Sequence, residues 1–433
     1  MTQSTPRILF AISDTGGGHR SGAVAIKAAV EQLMGADVEC HVVDMLASTG
    51  VPLVRNAPEL YNELSTRWLP AFDLFFQLTD GRRRMDALTQ VVYLGAHRNI
   101  VRVLEEVRPN LVVSVHPLVN RLIANARRTY RLSFRFVTVV TDLVSLHASW
   151  ADPEAELCLA PTAEAYERLL RQGMDESKVV RTGFPVHPKF ANQTASREEA
   201  RARIGVRQDL FTILLTSGGV GSGNMGQLVL DLSAAYPDVQ LLAVTGRNAA
   251  LRSQLEALDL PNVRVYGFVT NMDELMAASD IVVTKAGPGT LMEALVMRRP
   301  VIVTQAVGMQ ERGNIDFVLN HELGLFCPTV DRIVPTVAEL MQPETYAATV
   351  ARLADAVPRD GAEQIARILL EQLQLEPPVR TRRLRLPGIA ALRRLSSGRL
   401  RLPPARRPQL RFSSYRLKLP RVSGLSRWRR PRR

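Results

Sequence analysis

A strand, a tight glycine turn and a helix follow one another between residues 281 and 295, and this unit restricts the fold more than any other stretch. Residues 281–283 are apolar and β-branched, as a buried parallel strand prefers. Gly287-Pro288-Gly289 then forces a turn, and residues 290–295 have helix-forming composition. A parallel strand joined to a helix by a glycine turn is typical of doubly wound α/β proteins.

This turn has the properties of an anion site. It presents backbone N–H groups at the start of a helix, where the helix dipole favours negative charge. Glu293 lies in the predicted first turn of that helix and is suited to accept hydrogen bonds from a ribose. The residues thus indicate a nucleotide diphosphate held by backbone, with its ribose on Glu293. The alternative is that the two glycines only shape the connection and Glu293 is a favourable helix N-terminal charge.

The same strand, turn and helix order recurs along the chain. Glycines at 16–18 follow an apolar run over residues 7–12, and a glycine-rich loop over 217–223 follows the run over 211–216. The first loop is not a dinucleotide fingerprint, because Ser21 stands where G-x-G-x-x-G requires glycine. The repeated order predicts two doubly wound halves separated by a cleft, with a nucleotide on the second half and an acceptor on the first.

Polar side chains follow three predicted strands of the first half. His19 follows the first strand, His116 ends a strand over 110–116, and Asp142 follows a strand over 136–141. Ligands of α/β sheets gather at the carboxyl ends of strands, so we expect these side chains to converge on one site. For any single histidine, a structural role is the default alternative.

The composition excludes several classes of protein. No apolar run approaches the ~18–20 residues of a membrane-spanning helix, and the polar first seven residues argue against a secretory signal. The three cysteines lie far apart and form no CxxC pair. Their spacing favours a reducing compartment and argues against a disulfide framework or a zinc site.

All of the positive excess lies at the C-terminal end. The chain has 55 Lys and Arg and 42 Asp and Glu, a formal net charge of +13. After Glu376 stand 19 of the basic residues and none of the acidic ones, so the preceding body carries a net charge of −6. We predict that residues 377–433 form a disordered tail that binds an anionic membrane surface, since leucines and a tryptophan are interleaved with the arginines. Nucleic-acid binding is the alternative.

Aromatic and leucine residues are concentrated between residues 51 and 96, and Arg82-Arg83-Arg84 lies within this segment. One interpretation is a set of helices packed on the first half. The other is an apolar groove or interfacial helix that meets a lipid, with the arginines at the headgroups.

Two later stretches carry groups suited to a nucleotide sugar. Gly267-Phe268-Val269 follows a predicted strand and offers backbone hydrogen bonds and an apolar wall to a flat base. Gln310 and Glu311 stand side by side at a helix start and suit paired sugar hydroxyls. Helix capping is the alternative for this second pair.

Taken together and in order, the motifs resemble those of the monogalactosyldiacylglycerol synthases and related diacylglycerol glycosyltransferases. The resemblance covers about residues 7 to 330. The matching segments are Ser13-Asp14-Thr15-Gly16-Gly17-Gly18-His19, Ser114-Val115-His116-Pro117-Leu118, Thr141-Asp142-Leu143 with His147 and Trp150, Gly183-Phe184-Pro185-Val186, Gly246-Arg247-Asn248, Gly267-Phe268, Thr284-Lys285-Ala286-Gly287-Pro288-Gly289-Thr290 with Glu293-Ala294-Leu295, and Gln310-Glu311-Arg312-Gly313-Asn314.

The resemblance implies a GT-B fold, two doubly wound Rossmann-like α/β domains facing across a cleft. We expect an N-terminal acceptor (lipid) domain over 1–190, a UDP-sugar-binding domain over 191–345, helices over 346–376 that pack back toward the N-terminal domain, and the basic tail over 377–433. The family moves galactose or glucose from a UDP-hexose to the hydroxyl of 1,2-diacylglycerol, with inversion and without a required metal ion or other cofactor. We further expect a cytoplasmic enzyme, peripheral on the inner face of the cell membrane.

The resemblance also assigns roles to residues. His19 would lie at the reaction centre. From its place at a helix start and the end of the first strand, we expect His19 to be the base for the acceptor hydroxyl or the group that orients one, with Asp142 and His116 as second candidates. Phe268 and Val269 would meet the uracil, Gly287, Pro288, Gly289 and Thr290 the diphosphate, Glu293 the ribose, and Gln310 and Glu311 the hexose. Gly218, Gly219 and Asn314 are further donor-binding candidates, and we expect Arg247 to help neutralise the diphosphate leaving group. The acceptor-binding residues would be Gly17, Gly18, His147 and Trp150.

Two features depart from the family pattern. Gly308-Met309 precedes Gln310 where the family commonly has Pro-Gly, which leaves galactose against glucose open, and the basic tail lies outside the family core. Other GT-B enzymes that use UDP-N-acetylglucosamine, a 2-epimerase or the lipid-linked transferase of cell-wall synthesis, are the alternative. The last alternative is a non-catalytic protein that binds its partner through the basic tail and keeps a degenerate nucleotide site.

Overall fold

The computed structural model describes residues 5–14, 17–51, 78–216, 224–306 and 308–377. Within these ranges the chain forms two parallel sheets, each flanked by helices. The expected α/β architecture of two doubly wound domains is therefore confirmed. The aromatic residues between 52 and 77, the loop over 217–223 and the tail from 378 lie outside the described residues.

The four inner strands of the first sheet are almost entirely buried, and its two edge strands are partly exposed. Its spatial order is β2-β1-β3-β4-β5-β6, with every pairing parallel. The chain runs from β1 to one side and then crosses to the other, so a topological switch point lies between β1 and β3. The strands are β1 (Arg7–Ile12), β2 (Glu39–Asp44), β3 (Leu111–Ser114), β4 (Arg135–Val139), β5 (Leu157–Ala160) and β6 (Val179–Arg181).

Helices cover both faces of this sheet and bury apolar residues against it. The helices of the described first half are α1 (Gly17–Met34), α2 (Met45–Ser48), α3 (Arg82–Val107), α4 (Pro117–Tyr130) and α5 (Ala163–Arg171), with short 3-10 turns at Gly35–Asp37, Ala148–Trp150 and Glu176–Lys178. Two further helices, α6 (Pro188–Ala191) and α7 (Arg197–Ile204), lie between the two sheets in the sequence.

The second sheet repeats the design with the order β12-β11-β10-β7-β8-β9, again parallel throughout. Its switch point lies between β7 and β10. The strands are β7 (Phe211–Thr216), β8 (Val239–Val244), β9 (Val263–Tyr266), β10 (Ile281–Thr284), β11 (Val301–Val303) and β12 (Gly324–Phe326). The helices are α8 (Met225–Ala235), α9 (Ala249–Glu256), α10 (Met272–Ala278), α11 (Pro288–Val296), α12 (Gly308–Asn320) and α13 (Ile333–Met341), with a 3-10 turn at Val330–Arg332.

The last two helices pack on different halves. Leu353 of α14 (Pro343–Ala356) is buried in the core of the second half. The apolar face of α15 (Gly361–Gln374), with Ile365 and Leu369, instead joins the core formed by β1 and α1 in the first half. Arg135 of β4 donates hydrogen bonds to the side chain of Gln372 at 2.6 and 3.0 Å, which fastens this end of α15 to the first sheet.

Two helices begin earlier than the sequence predicted. Helix α1 begins at Gly17, inside the glycine run that the sequence assigned to a turn, and α11 begins at Pro288, a residue whose fixed φ suits the first helical position. As a consequence Gly18 and Gly289 are helical, and Glu293 lies in the second turn of α11 instead of the first. The strand β6 was not predicted, because it is three residues long and partly exposed. None of the described helices combines the length and hydropathy needed to cross a bilayer.

Candidate active site

Two groups of the residues that the sequence singled out flank the topological switch points of the two sheets. Helix α1, with His19, follows β1, and His116 follows β3, so both flank the switch point of the first sheet. Gly287 to Thr290 follow β10 at the switch point of the second sheet. Such crevices are where open α/β sheets bind their ligands.

The first turns of α1 and α11 meet, although they belong to different halves. A Cβ atom added to Gly18 would lie 3.3 Å from Cγ of Pro288. One added to Gly289 would lie 3.4 Å from Oγ of Ser21 and 3.9 Å from Cα of Gly18. Side chains at either glycine would widen this approach. Two positive helix ends therefore bound one region, an arrangement that suits a diphosphate.

His19 is buried in a cluster of polar and aromatic side chains. Its Nδ1 shares a 2.8 Å hydrogen bond with Oγ1 of Thr141, and its ring also bonds to the backbone of Val115. The ring of His116 meets it edge-on, with centroids 4.5 Å apart, and that of Trp150 lies 6.1 Å away. These partners fix the orientation of the His19 imidazole.

Asp142 joins this cluster through Trp150. The indole Nε1 of Trp150 donates to Oδ2 of Asp142 at 2.6 Å, and both side chains are buried. His19, His116, Asp142 and Trp150, which come from three separate segments of the sequence, are thus brought together. The charge of Asp142 acts on both His19 and His147.

The turn that carries Trp150 is held from two other elements. Oδ1 of Asp80 accepts from the backbone N–H of Ala148 at 2.9 Å, and Nδ2 of Asn120 in α4 donates to the carbonyl of Ser149 at 3.0 Å. His147 caps the turn, since its Nδ1 accepts from the N–H of Ser149 at 3.2 Å. Sequence reasoning missed Asp80 and Asn120, because neither belongs to a motif and their contacts span long sequence separations.

Burial controls the protonation of the histidines. It lowers the pKa of His19 below the ordinary 6.5, and the charge of Asp142 only partly offsets this. Burial and the neighbouring His19 hold the pKa of His116 well below its usual range. Burial also lowers the pKa of His147. At neutral pH the site therefore contains neutral imidazoles, the form in which histidine can accept a proton.

On the donor side, α11 begins without a capping side chain at Gly287. The N–H groups of its first turn are available to an anion, with Thr290 in the same turn. Glu293 is half-buried one turn later. Burial raises the pKa of Glu293 to about 7, Lys189 lowers it and Asp273 raises it.

Helix α12 supplies further polar groups beside this turn. Glu311 is buried, and its Oε1 lies 3.6 Å from Nζ of Lys285. Nδ2 of Asn314 donates to the carbonyl of Ala286 at 2.8 Å, which ties α12 to the end of β10. The backbone of Gln310 is part of α12, but its side chain is not among the described residues, and neither are Gly218 and Gly219.

Arg247 and Phe268 lie at the ends of the neighbouring strands β8 and β9. The guanidinium of Arg247 stacks over the ring of Phe268, 4.9 Å from its centroid, while the ring is 59% exposed. Val269 packs against the core of the second half and fixes the base of this loop. The exposed ring offers a face on which a planar base can stack.

The comparisons with known proteins agree with this geometry. The family model for monogalactosyldiacylglycerol synthase matches residues 19–186, and that for the glycosyltransferase family 28 C-terminal domain matches residues 212–308. The chloroplastic monogalactosyldiacylglycerol synthase of Spinacia oleracea is 32% identical over 353 residues, 79% of this chain and 67% of that protein. Monogalactosyldiacylglycerol synthase 2 of Arabidopsis thaliana is 32% identical over 79% of this chain and 75% of its own length.

The chain belongs to the monogalactosyldiacylglycerol synthase family.

As a member of the monogalactosyldiacylglycerol synthase family it is a glycosyltransferase with the GT-B fold. MurG of Acinetobacter baumannii has the same fold, with a TM-score of 0.56 and 14% identity over 84% of this chain and 99% of that one. The UDP-GlcNAc 2-epimerase of Neisseria meningitidis matches with a TM-score of 0.54 and 14% identity, covering 85% of this chain and 99% of its own. These likenesses concern the fold alone.

Proposed function

We propose that this protein is an inverting glycosyltransferase that moves a hexose from a UDP-sugar to the hydroxyl of 1,2-diacylglycerol and forms a β-glycosyldiacylglycerol. The observation that carries this proposal is the meeting of the first turns of α1 and α11 at Gly18 and Pro288. Two helix N-termini stabilise the negative charge that develops on a departing UDP. His19, the residue after Gly18, then lies next to the reacting bond.

The donor is assigned to the second half. The diphosphate binds the backbone N–H groups of Gly287, Gly289 and Thr290, and the ribose hydroxyls donate to Glu293. The uracil packs on Phe268 and Val269, with Arg247 beside it. The hexose hydroxyls meet Glu311 and Gln310. Two contacts that hold α12 against the end of β10 support this arrangement. One is the hydrogen bond from Asn314 to the carbonyl of Ala286, and the other is the ion pair of Glu311 with Lys285.

The transfer requires a base for the acceptor hydroxyl. The hydroxyl oxygen attacks the anomeric carbon, the bond from that carbon to the diphosphate oxygen breaks, and UDP departs with the electron pair. The hydroxyl proton passes to His19, which burial keeps neutral at physiological pH. Asp142 stabilises the imidazolium that forms, and Trp150 holds Asp142 by its indole N–H.

The acceptor is assigned to the first half. The glycerol hydroxyl approaches His19 across Gly17 and Gly18, and the turn of His147 and Trp150 forms the neighbouring wall. No metal ion is required in this proposal, because the two helix N-termini and Lys285 supply the positive charge next to the diphosphate. Activity that survives a chelator such as EDTA would support this part.

The hexose is either galactose or glucose. Relatives are named monogalactosyldiacylglycerol synthases, which favours galactose. The segment Gly308-Met309 before Gln310 differs from the usual family pattern, however, and it lies directly beside the proposed hexose groups.

We place the enzyme in the cytoplasm, peripheral on the inner face of the cell membrane. Its acceptor is a lipid, and the tail over 377–433 carries the basic and apolar residues suited to an anionic bilayer.

One incubation tests the proposal. The full-length protein and diacylglycerol in mixed micelles are combined with one donor per sample: UDP-galactose, UDP-glucose or UDP-N-acetylglucosamine. The lipid product of each sample is identified by mass spectrometry. A hexosyl-diacylglycerol of β configuration by NMR is expected. Product only from UDP-N-acetylglucosamine, or an α-glycoside, would contradict the proposal, and absence of any product would favour a binding role.

A further inference from the structure

A side chain at the end of α12, in the second half, is bound to a helix of the first half. His321 directly follows α12, and its Nε2 donates to Oε1 of Glu164 at 2.7 Å. Glu164 lies in the first turn of α5. The two residues are 157 positions apart in the sequence, so their bond joins the two halves.

The imidazole of His321 is held in place by its own helix. Its ring packs on that of Phe317, one turn earlier in α12, with centroids 4.7 Å apart. Phe317 is in turn buried in the core of the second half. The position of the His321 ring is therefore tied to the position of α12.

Helix α12 also meets the first half at its middle. A Cβ atom added to Gly313 would lie 2.5 Å from Oγ of Ser145 and 2.9 Å from Cβ of Val144, so the helix backbone touches the loop that carries them. Leu143 of the same loop is buried in the core of the second half. Contacts at Gly313 and at His321 thus connect α12 to the first half.

Helix α5 is bound to that same loop. Oγ1 of Thr162, which caps the start of α5, donates to the carbonyl of Leu143 at 2.5 Å. Nε2 of Gln172, at the end of α5, donates to the carbonyl of Leu146 at 3.0 Å. The loop then continues into the turn of Trp150, which the proposed function places at the acceptor. Helix α5, this loop and α12 therefore form a closed ring of contacts.

The other end of α12 carries the groups assigned to the sugar. Gln310 and Glu311 stand at the start of this helix, where the proposed function places the hexose. Helix α12 has 13 residues and is about 20 Å long. Because its backbone is hydrogen-bonded along this length, a shift of its end at His321 also moves the groups at its start.

We propose that Glu164 and His321 are positioning residues for the transfer. Their bond holds α12 against the first half, so that the hexose and the acceptor wall at Trp150 are at the distance that the attack requires. Neither side chain touches the reacting atoms, and both act through α12 and the loop before Trp150. The inference rests on the proposed function, which assigns the hexose to Gln310 and Glu311.

A positioning role differs measurably from a purely structural one. The side chains of His321 and Glu164 are 37% and 32% exposed, and solvent weakens an ion pair of this exposure. The pair should therefore contribute little to the stability of the fold. Loss of a positioning contact should instead lower kcat, since small misplacements of reacting groups are costly, while UDP still binds.

Exchange of the two side-chain charges in the full-length protein tests this inference. Glu164→Lys sets a cation against His321, and His321→Glu sets two carboxylates against each other, so each single variant should displace α12 from α5. The double variant Glu164→Lys/His321→Glu restores an opposite pair. With UDP-hexose and diacylglycerol, kcat should fall about 5–20-fold in each single variant and return to within about threefold of wild type in the double variant. The Kd for UDP should stay within about threefold throughout.

Two controls separate the pair from a general effect of charge. Glu167→Lys makes the same change at an exposed position of α5 and should keep the wild-type kcat. Glu164→Lys also removes an acid from the start of α5, where the helix dipole favours it. The second substitution cannot restore that interaction, so recovery in the double variant is due to the pair. Hydrogen exchange over residues 143–146 and 308–320 should accelerate in the single variants and recover in the double variant.

The outcomes separate this inference from the proposed function. Single variants with wild-type kcat, or a double variant no better than either one, overturn the role of the pair while the proposed function stands. A loss of UDP affinity as large as the loss of kcat also overturns it. No hexosyl-diacylglycerol from the wild type overturns the proposed function and the inference together. If Glu164→Lys does not fold, Glu164→Ala and His321→Ala decide: losses of kcat that do not add in the double variant support the inference, and additive or absent losses overturn it.

Discussion

The indole N–H of Trp150 donates a 2.6 Å hydrogen bond to Oδ2 of Asp142, and both groups are buried beside His19. This pair links the proposed acceptor wall to the proposed base, because the charge of Asp142 acts on the His19 ring. Loss of this hydrogen bond should therefore reduce both catalysis and stability.

Replacement of Trp150 by Phe keeps a large apolar ring but removes the donor. We expect kcat to fall at least tenfold and the free energy of unfolding to fall by about 1.5–3 kcal/mol, the usual worth of a hydrogen bond to a charged group. Steady-state kinetics and urea denaturation measure the two effects. Phe134→Leu, a buried change elsewhere in the first half, serves as control and should lower stability without a comparable loss of kcat. Unchanged kcat in Trp150→Phe would remove the pair from the mechanism.

Helix α12 and the loop after Asp142 approach each other at Gly313. A Cβ atom added there would lie 2.5 Å from Oγ of Ser145 and 2.9 Å from Cβ of Val144, so Gly313→Ala must push the two halves apart. We expect kcat to fall about 10–100-fold, because small misplacements of reacting groups are costly, while UDP affinity changes less than about threefold. Gly226→Ala is the control, because the added Cβ atom would lie 3.4 Å from its nearest neighbour, Cδ1 of Leu251, without a clash. Equal kcat in the two variants would show that this approach is dispensable.

Glu293 should make the ligand-free protein less stable at alkaline pH. Its pKa is raised from 4.5 to about 7 in the folded state, so the folded chain holds a proton that the unfolded chain releases between these values. The resulting stabilisation is complete below pH ~4.5 and is lost as the pH rises through ~7, a change on the order of 3 kcal/mol.

Glu293→Gln should lack this pH dependence. Urea unfolding at pH 5 and pH 8, with the exposed Glu256→Gln as control, measures the difference. The same loss of stability between the two pH values in Glu293→Gln and wild type would show that another group is responsible.

His19 should determine the acid limb of the pH–rate profile. Burial lowers its pKa below 6.5, so kcat/KM should remain level as the pH falls to 6.5 and decline only in more acidic solution. His19→Gln should lose about 10²–10⁴-fold in kcat together with this limb, whereas His41→Gln on β2 should behave as wild type. A His19→Ala variant that folds normally and keeps near-full kcat would exclude His19 as the base.

Deletion of residues 377–433 should separate membrane binding from donor binding. The deletion removes 19 basic residues and no acidic ones, so sedimentation with vesicles of anionic lipid should weaken strongly, while UDP affinity is retained. Vesicles of zwitterionic lipid are the control, and the deletion should change sedimentation with them much less. If the truncated protein sediments as well as the full chain, the tail is not the membrane anchor.

Much of the fold could be predicted from local sequence. Continuous runs of β-branched and apolar residues predict buried strands over 211–216 and 281–284, and the structure confirms both strands. The family, too, was recognisable from the order of its motifs. The start of α1 was misplaced because glycine has poor helix propensity, yet α1 begins at Gly17, next to the point where Gly18 approaches Pro288 of α11.

The candidate site was only partly predictable. Sequence placed His19, His116 and Asp142 at strand ends, and sheet topology alone then required that they converge. The meeting of Gly18 with Pro288, the support of Ala148 by Asp80 and the bond from His321 to Glu164 could not be predicted. These contacts join segments that are far apart in the sequence, some within the first half and some between the two halves, and no local pattern encodes them.

Helix α15 has a consequence for how the chain is made. The first half is synthesised first, yet its core includes Ile365 and Leu369, which pack beside Ile8 and Ile26. At roughly 5–20 residues per second, more than 300 residues separate these partners on the ribosome, a delay of tens of seconds. The half that leaves the ribosome first is therefore the last to complete its core, and until then it exposes an apolar surface that a chaperone is suited to cover.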